Sequence, residues 1–84
     1  MEKKPFKFLL GKQVVTKEGK KIGIVKDITF EARTGELINM VLKELTTYTS
    51  NLSLDRTKEK EALIPYNSVI AIGDFIVVSE EDLM

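Results

Sequence analysis

Residues 22–45 read IGIVKDITFEARTGELINMVLKEL, and two apolar rhythms inside this stretch decide the fold. In its first half Ile22, Ile24, Ile28 and Phe30 fall on one side of an alternating pattern, with Lys26 the exception. Gly23, Val25, Asp27, Thr29 and Glu31 fall on the other. Period-two alternation of this kind marks a half-buried strand of a curved sheet. Ala32-Arg33-Thr34-Gly35 then reads as a turn, with Gly35 suited to the left-handed position that closes a hairpin. The next segment, Glu36–Leu45, is apolar on both sides: Ile38, Met40 and Leu42 on one, Leu37, Val41 and Leu45 on the other. A small barrel has a single inside, so the second row requires a cover, from this chain or from another.

Working outward, Leu9 to Thr16 reads as a strand bent at Gly11, joined to the next by the turn Lys17-Glu18-Gly19-Lys20. Thr46–Lys60 (TTYTSNLSLDRTKEK) is polar and is expected to form a long hairpin excursion. Ala62–Ile64 is a short strand that Pro65 ends or confines to an edge, and Tyr66–Val69 makes a turn with room for one 3₁₀ turn. Ile70–Ile72 and Phe75–Val78 flank Gly73-Asp74, the glycine-first pair of a type II′ hairpin. The tail SEEDLM carries three acids and is expected to fray. The reading is one all-β domain over residues 1–84, a small six-stranded barrel with tight turns. Its core runs over about 8–79, and the polar excursion covers 46–60.

Composition narrows the function. The chain has 84 residues, 13 Lys+Arg against 13 Asp+Glu, and neither His, Cys nor Trp. Imidazole bases, thiolate nucleophiles, the usual zinc ligands and disulfides are thereby excluded. The carboxylates Asp27, Glu31, Asp55, Asp74 and Glu80–Asp82 show no spacing suggestive of acid–base chemistry. Glycines 19, 23 and 35 are isolated and open no phosphate loop. No catalysis, cofactor or metal is expected. The longest apolar runs, Val69–Ile72 and Phe75–Val78, are four residues, against the roughly 20 of a spanning helix. With no membrane span or targeting segment in view, the cytoplasm is the expected location.

The neutral sum conceals a polarity. Residues 1–26 hold eight lysines and two acids (+6), whereas residues 27–84 hold five basic and eleven acidic residues (−6). Lys17, Lys20, Lys21 and Lys26 around the first turn form a candidate nucleic-acid contact, with Phe6 and Phe8 as candidate stacking platforms. The zero net charge argues against that role.

The ordered series Gly11-Lys12, Val14-Val15, Gly19, Gly23-Ile24-Val25-Lys26-Asp27, Thr34-Gly35, Ile64-Pro65-Tyr66 and Ile70-Ala71-Ile72-Gly73-Asp74 resembles the PRC-barrel domain family. The likeness is to its short, stand-alone archaeal members. The family takes its name from the cytoplasmic barrel of the photosynthetic reaction-centre H subunit, and another branch occurs in the bacterial ribosome-maturation factor. The resemblance implies a six-stranded barrel without catalytic residues. Gly19, Gly23, Gly35 and Gly73 would serve backbone geometry, Asp27 and Asp74 local hydrogen bonds, and Pro65 a strand end. It further implies a binding and assembly module, with a link between short archaeal members and cell division. The leading expectation is a homodimeric adaptor whose interface holds Leu37, Val41, Leu45 and Tyr48. The alternative is a ribosome- or RNA-associated maturation factor binding through Lys17–Lys26.

Overall fold

The computed structural model describes residues 6–52 and 54–83, so most of the lysine-rich lead lies outside the described residues. Seven strands form one sheet: β1 (Gln13–Thr16), β2 (Lys21–Phe30), β3 (Leu37–Lys43), β4 (Asp55–Arg56), β5 (Ala62–Pro65), β6 (Val69–Ile72) and β7 (Phe75–Val78). They lie in the order β4-β5-β3-β2-β1-β7-β6, with all neighbours antiparallel except β1 and β7. Short 3₁₀ turns (Phe6–Leu9, Thr47–Asn51, Tyr66–Ser68, Glu80–Leu83) supply the only helical geometry among the described residues. The all-β class is as the alternation predicts. The hydrogen-bonded ladder ends at β4 and β6, so it does not close on itself. The seventh strand, beyond the six expected, is the two-residue β4 inside the polar excursion.

Bulges resolve the lack of a strict period in β2. The β2–β3 register pairs Val25 with Leu42 and Asp27 with Val41, skipping Lys26. The extra residue flips the alternation, so Val25 and Ile28, of opposite parity, both turn to the core. A second shift, between Val14 and Val15 of β1, skips Ile22, which is also fully buried. The core is one cluster that includes Leu9, Val14, Ile22, Val25, Met40, Leu42, Ala62, Ile64, Ile76 and Val78. Each such side chain contributes about 1.5–3 kcal/mol when fully buried.

Three local expectations change. Leu9 belongs to a 3₁₀ turn rather than to a strand, because Gly11 (φ 85°) turns the chain before β1 begins at Gln13. Gly73 has a φ outside the left-handed range, so the β6–β7 turn is not type II′. The tail does not fray: Leu83 is buried in the core cluster, and Ser79 N–H donates to the Ser68 carbonyl. Gly19 and Gly35 do occupy the left-handed conformation their turns require, and Pro65 ends β5.

The polar excursion also has a structural task. The bulge at Ile22 frees its carbonyl, which accepts from Thr46 N–H (3.1 Å) and from the Thr49 hydroxyl (2.7 Å). The Thr46 hydroxyl donates to the Lys21 carbonyl (2.5 Å). A threonine-rich segment can therefore pack against β2 with its polar groups satisfied, and Thr49 is fully buried.

Candidate interaction surface

Of the four residues expected at a dimer interface, Leu37, Leu45 and Tyr48 pack against this chain's own core. Val41 is 7% exposed and faces Asp27 on β2 and Leu63 on β5. The second apolar row of the third strand is thus covered largely from within: Leu37 and Leu45 pack on the core cluster and Val41 is buried.

Exposed apolar surface lies elsewhere. Phe8, Leu10, Phe30, Ile38, Ile70, Ile72 and Phe75 are the exposed large hydrophobics. Phe75 opens β7 and Ile72 closes β6, whereas Phe8 and Leu10 precede β1 outside the strands. Gln13 pairs with both Ile24 and Phe75, Lys12 bonds to Val25, and Phe8 and Leu10 directly precede them. Ile72 sits across the turn from Phe75, where it pairs with Ile76. Phe30 and Ile38 lie further out on the β2–β3 hairpin, beside the Phe30–Leu37 pair. Ile70 occupies the middle of β6. The sequence marks Ile70–Ile72 as a strand, but apolar alternation cannot tell a covered strand from an edge strand. The clue available in the sequence was Val69–Ile72 itself, an uncharged run beside a turn. On β1 the Gln13 Oε1 is buried without a hydrogen-bond partner among the described residues.

The lysine cluster divides. Lys17, Lys20 and Lys21 surround the β1–β2 turn, whereas Lys26 lies five residues along β2, about 16 Å away at strand rise. The Lys26 ammonium pairs with the Glu61 carboxylate, bridging the two strands that flank β3. The hydrogen bond and charge of Glu61 raise the Lys26 pKa. Lys20 lies 3.9 Å from Glu18 and 4.9 Å from the centroid of the Tyr48 ring. The Tyr48 hydroxyl donates to Glu80, tying the Thr47–Asn51 turn to the Glu80–Leu83 turn. That bond, followed by desolvation and the charges of Glu80 and Glu18, pushes the phenol up to about 12. Among the described residues the lysine-bearing strands β1 and β2 lie side by side, flanked by β3 and β7.

The remaining motif residues serve geometry. The Asp27 carboxylate is exposed and accepts from Ile28 N–H (2.8 Å). Asp74 is exposed at the β6–β7 turn. Among the described residues no group of three or more His, Cys, Asp or Glu side chains is placed to hold a metal ion. No helix among them is long and apolar enough to cross a membrane.

This geometry defines a small all-β domain whose notable surface is apolar rather than ionic. The chain belongs to the PRC-barrel domain family, whose model matches residues 1–83. It is similar to an uncharacterized protein of the archaeon Methanocaldococcus jannaschii, 34% identical over 83 residues, covering 99% of this chain and 89% of that one.

Proposed function

We propose that this PRC-barrel protein is a non-catalytic protein-interaction and assembly module, a cytoplasmic adaptor that works as a homodimer. One observation carries the reading: Ile70, Ala71 and Ile72 are exposed in succession on the last strand of the sheet, with half-exposed Phe75 just beyond the turn. Contiguous apolar surface of this kind marks interaction sites on folded domains. The absence of His and Cys from the whole chain supports a role without chemistry. Among partners, the archaeal cell-division machinery comes first, on the family resemblance alone. Affinity capture of the protein from its own cells tests that choice, and recovery of ribosomal proteins instead would overturn it.

Light scattering after size exclusion tests the dimer. The expected result is twice the chain mass at high micromolar concentration, reverting to one chain mass in Phe75→Asp with the fold retained, since that ring is 51% exposed. A strict monomer overturns the homodimer. The alternative, an RNA- or ribosome-associated factor, would use Lys17, Lys20 and Lys21. It is the weaker reading, because Lys26 stands apart and Lys20 is already engaged by Glu18 and Tyr48.

A further inference from the structure

We propose that the open edge of the sheet at β6 is completed by β6 of a second copy. The two strands run antiparallel about a two-fold axis at the centre of β6, so that two seven-stranded sheets join into one. The proposal rests on the homodimer reading and specifies its geometry.

The two edges of the sheet differ sharply. At β4 the edge is two residues long and consists of Asp55 and Arg56, both exposed and charged. Short, charged edges are how folded sheets discourage further pairing. At β6 the edge is Val69-Ile70-Ala71-Ile72, with neither a charge nor an internal proline. The β6–β7 register skips Ile70, and Ile70, Ala71 and Ile72 are all exposed in succession. Three consecutive exposed apolar residues on a strand are unfavourable unless something covers them.

Self-pairing fits this strand better than pairing with an unrelated segment. About an axis between Ile70 and Ala71, Val69 opposes the partner's Ile72, and Ile70 opposes the partner's Ala71. These are apolar, mostly β-branched pairs of the kind that stabilise antiparallel strands. Asp74, the nearest charge along the chain, then opposes the uncharged Asn67 of the partner, so no like charges meet. Just beyond the turn, Phe75 adds a half-exposed aromatic residue at the start of β7. The residues this pairing would cover directly are Ile70 and Ile72, 52% and 36% exposed, with exposed Ala71 between them.

Because the chain has no cysteine, a single Ala71→Cys gives a unique chemical handle. A short bismaleimide should link two copies of this variant and should leave Asp55→Cys, at the other edge, unlinked. Hydrogen exchange followed by mass spectrometry should show β6 amides gaining protection as concentration rises. Ile70→Lys, at a side chain 52% exposed and therefore replaceable without unfolding, should raise the dimer dissociation constant at least about tenfold. A dimer whose β6 exchange does not depend on concentration, and whose Ala71→Cys form does not cross-link, overturns the β6 proposal and leaves the homodimer standing. A monomer at every concentration overturns both.

Discussion

Adding one methyl group at Gly23 should destabilise this protein, although glycine-to-alanine changes in strands usually help. A Cβ built at Gly23 would lie 2.9 Å from the Lys43 carbonyl oxygen, 3.0 Å from Leu45 Cδ2 and 3.3 Å from Leu42 Cβ. The first contact decides the matter, because Lys43 belongs to β3 and pairs with Ile24, beside Gly23. That carbonyl can retreat only by disturbing the β2–β3 ladder. Overpacking of this kind costs about 1–3 kcal/mol. The lost freedom of the unfolded chain returns about 0.4–1 kcal/mol. The balance is a loss of about 1–2 kcal/mol from a total on the order of 4–13 kcal/mol for a domain of this length. Thermal unfolding followed by circular dichroism should therefore show a midpoint lowered by about 5–15 °C. Gly73→Ala is the matched control. Nothing lies within 4 Å of its would-be Cβ, and its φ is outside the left-handed range. It should be neutral or stabilising by up to about 1 kcal/mol. A Gly23→Ala protein melting at or above the parent, or a Gly73→Ala protein falling as far, would refute the argument.

Further outcomes follow from other contacts. The raised pKa of Tyr48 means that the neutral phenol is favoured in the fold. Its contribution is complete below pH 10 and is lost as pH climbs toward 12, where a phenolate would face Glu80. Melts across this range should show that loss, and Tyr48→Phe should remove it; an unchanged profile would show the Glu80 contact to be inert. Leu83→Ala should cost about 2–3 kcal/mol, near the lower end for buried leucine, and urea midpoints would expose a freely fraying tail as no change at all. Gln13→Met should stabilise by about 1 kcal/mol by removing a buried oxygen without a partner among the described residues; a destabilised variant in the same denaturation assay would mean that the amide is satisfied. Lys20→Glu with Lys21→Glu should leave any RNA retention at low salt unchanged in filter binding, and a collapse would favour the nucleic-acid reading.

Much of the architecture was legible along the chain. Turn chemistry at Gly19 and Gly35, the strand end at Pro65 and the alternation around β2 follow from local sterics, which act over a few residues. The bulges were not legible. Skipping Ile22 and Lys26 depends on what β1 and β3 offer across the ladder, and one skipped residue reverses which side chains face inward. The packing of the threonine-rich segment was not legible for a related reason. Only the fold brings Thr46 N–H and the Thr49 hydroxyl to the Ile22 carbonyl.

The interaction surface divides along the same line. That one strand is apolar on both faces, that Val69–Ile72 carries no charge, and that no imidazole or thiol is present are properties of the chain as written. They set the all-β class of the domain and leave it without an imidazole or a thiol. Which apolar residues remain in water was settled by packing. Burial is a relation between distant segments: Leu37, Leu45 and Tyr48 found cover within the chain, while Ile70 and Ile72 lie on β6, where the sheet ends and no further strand follows among the described residues.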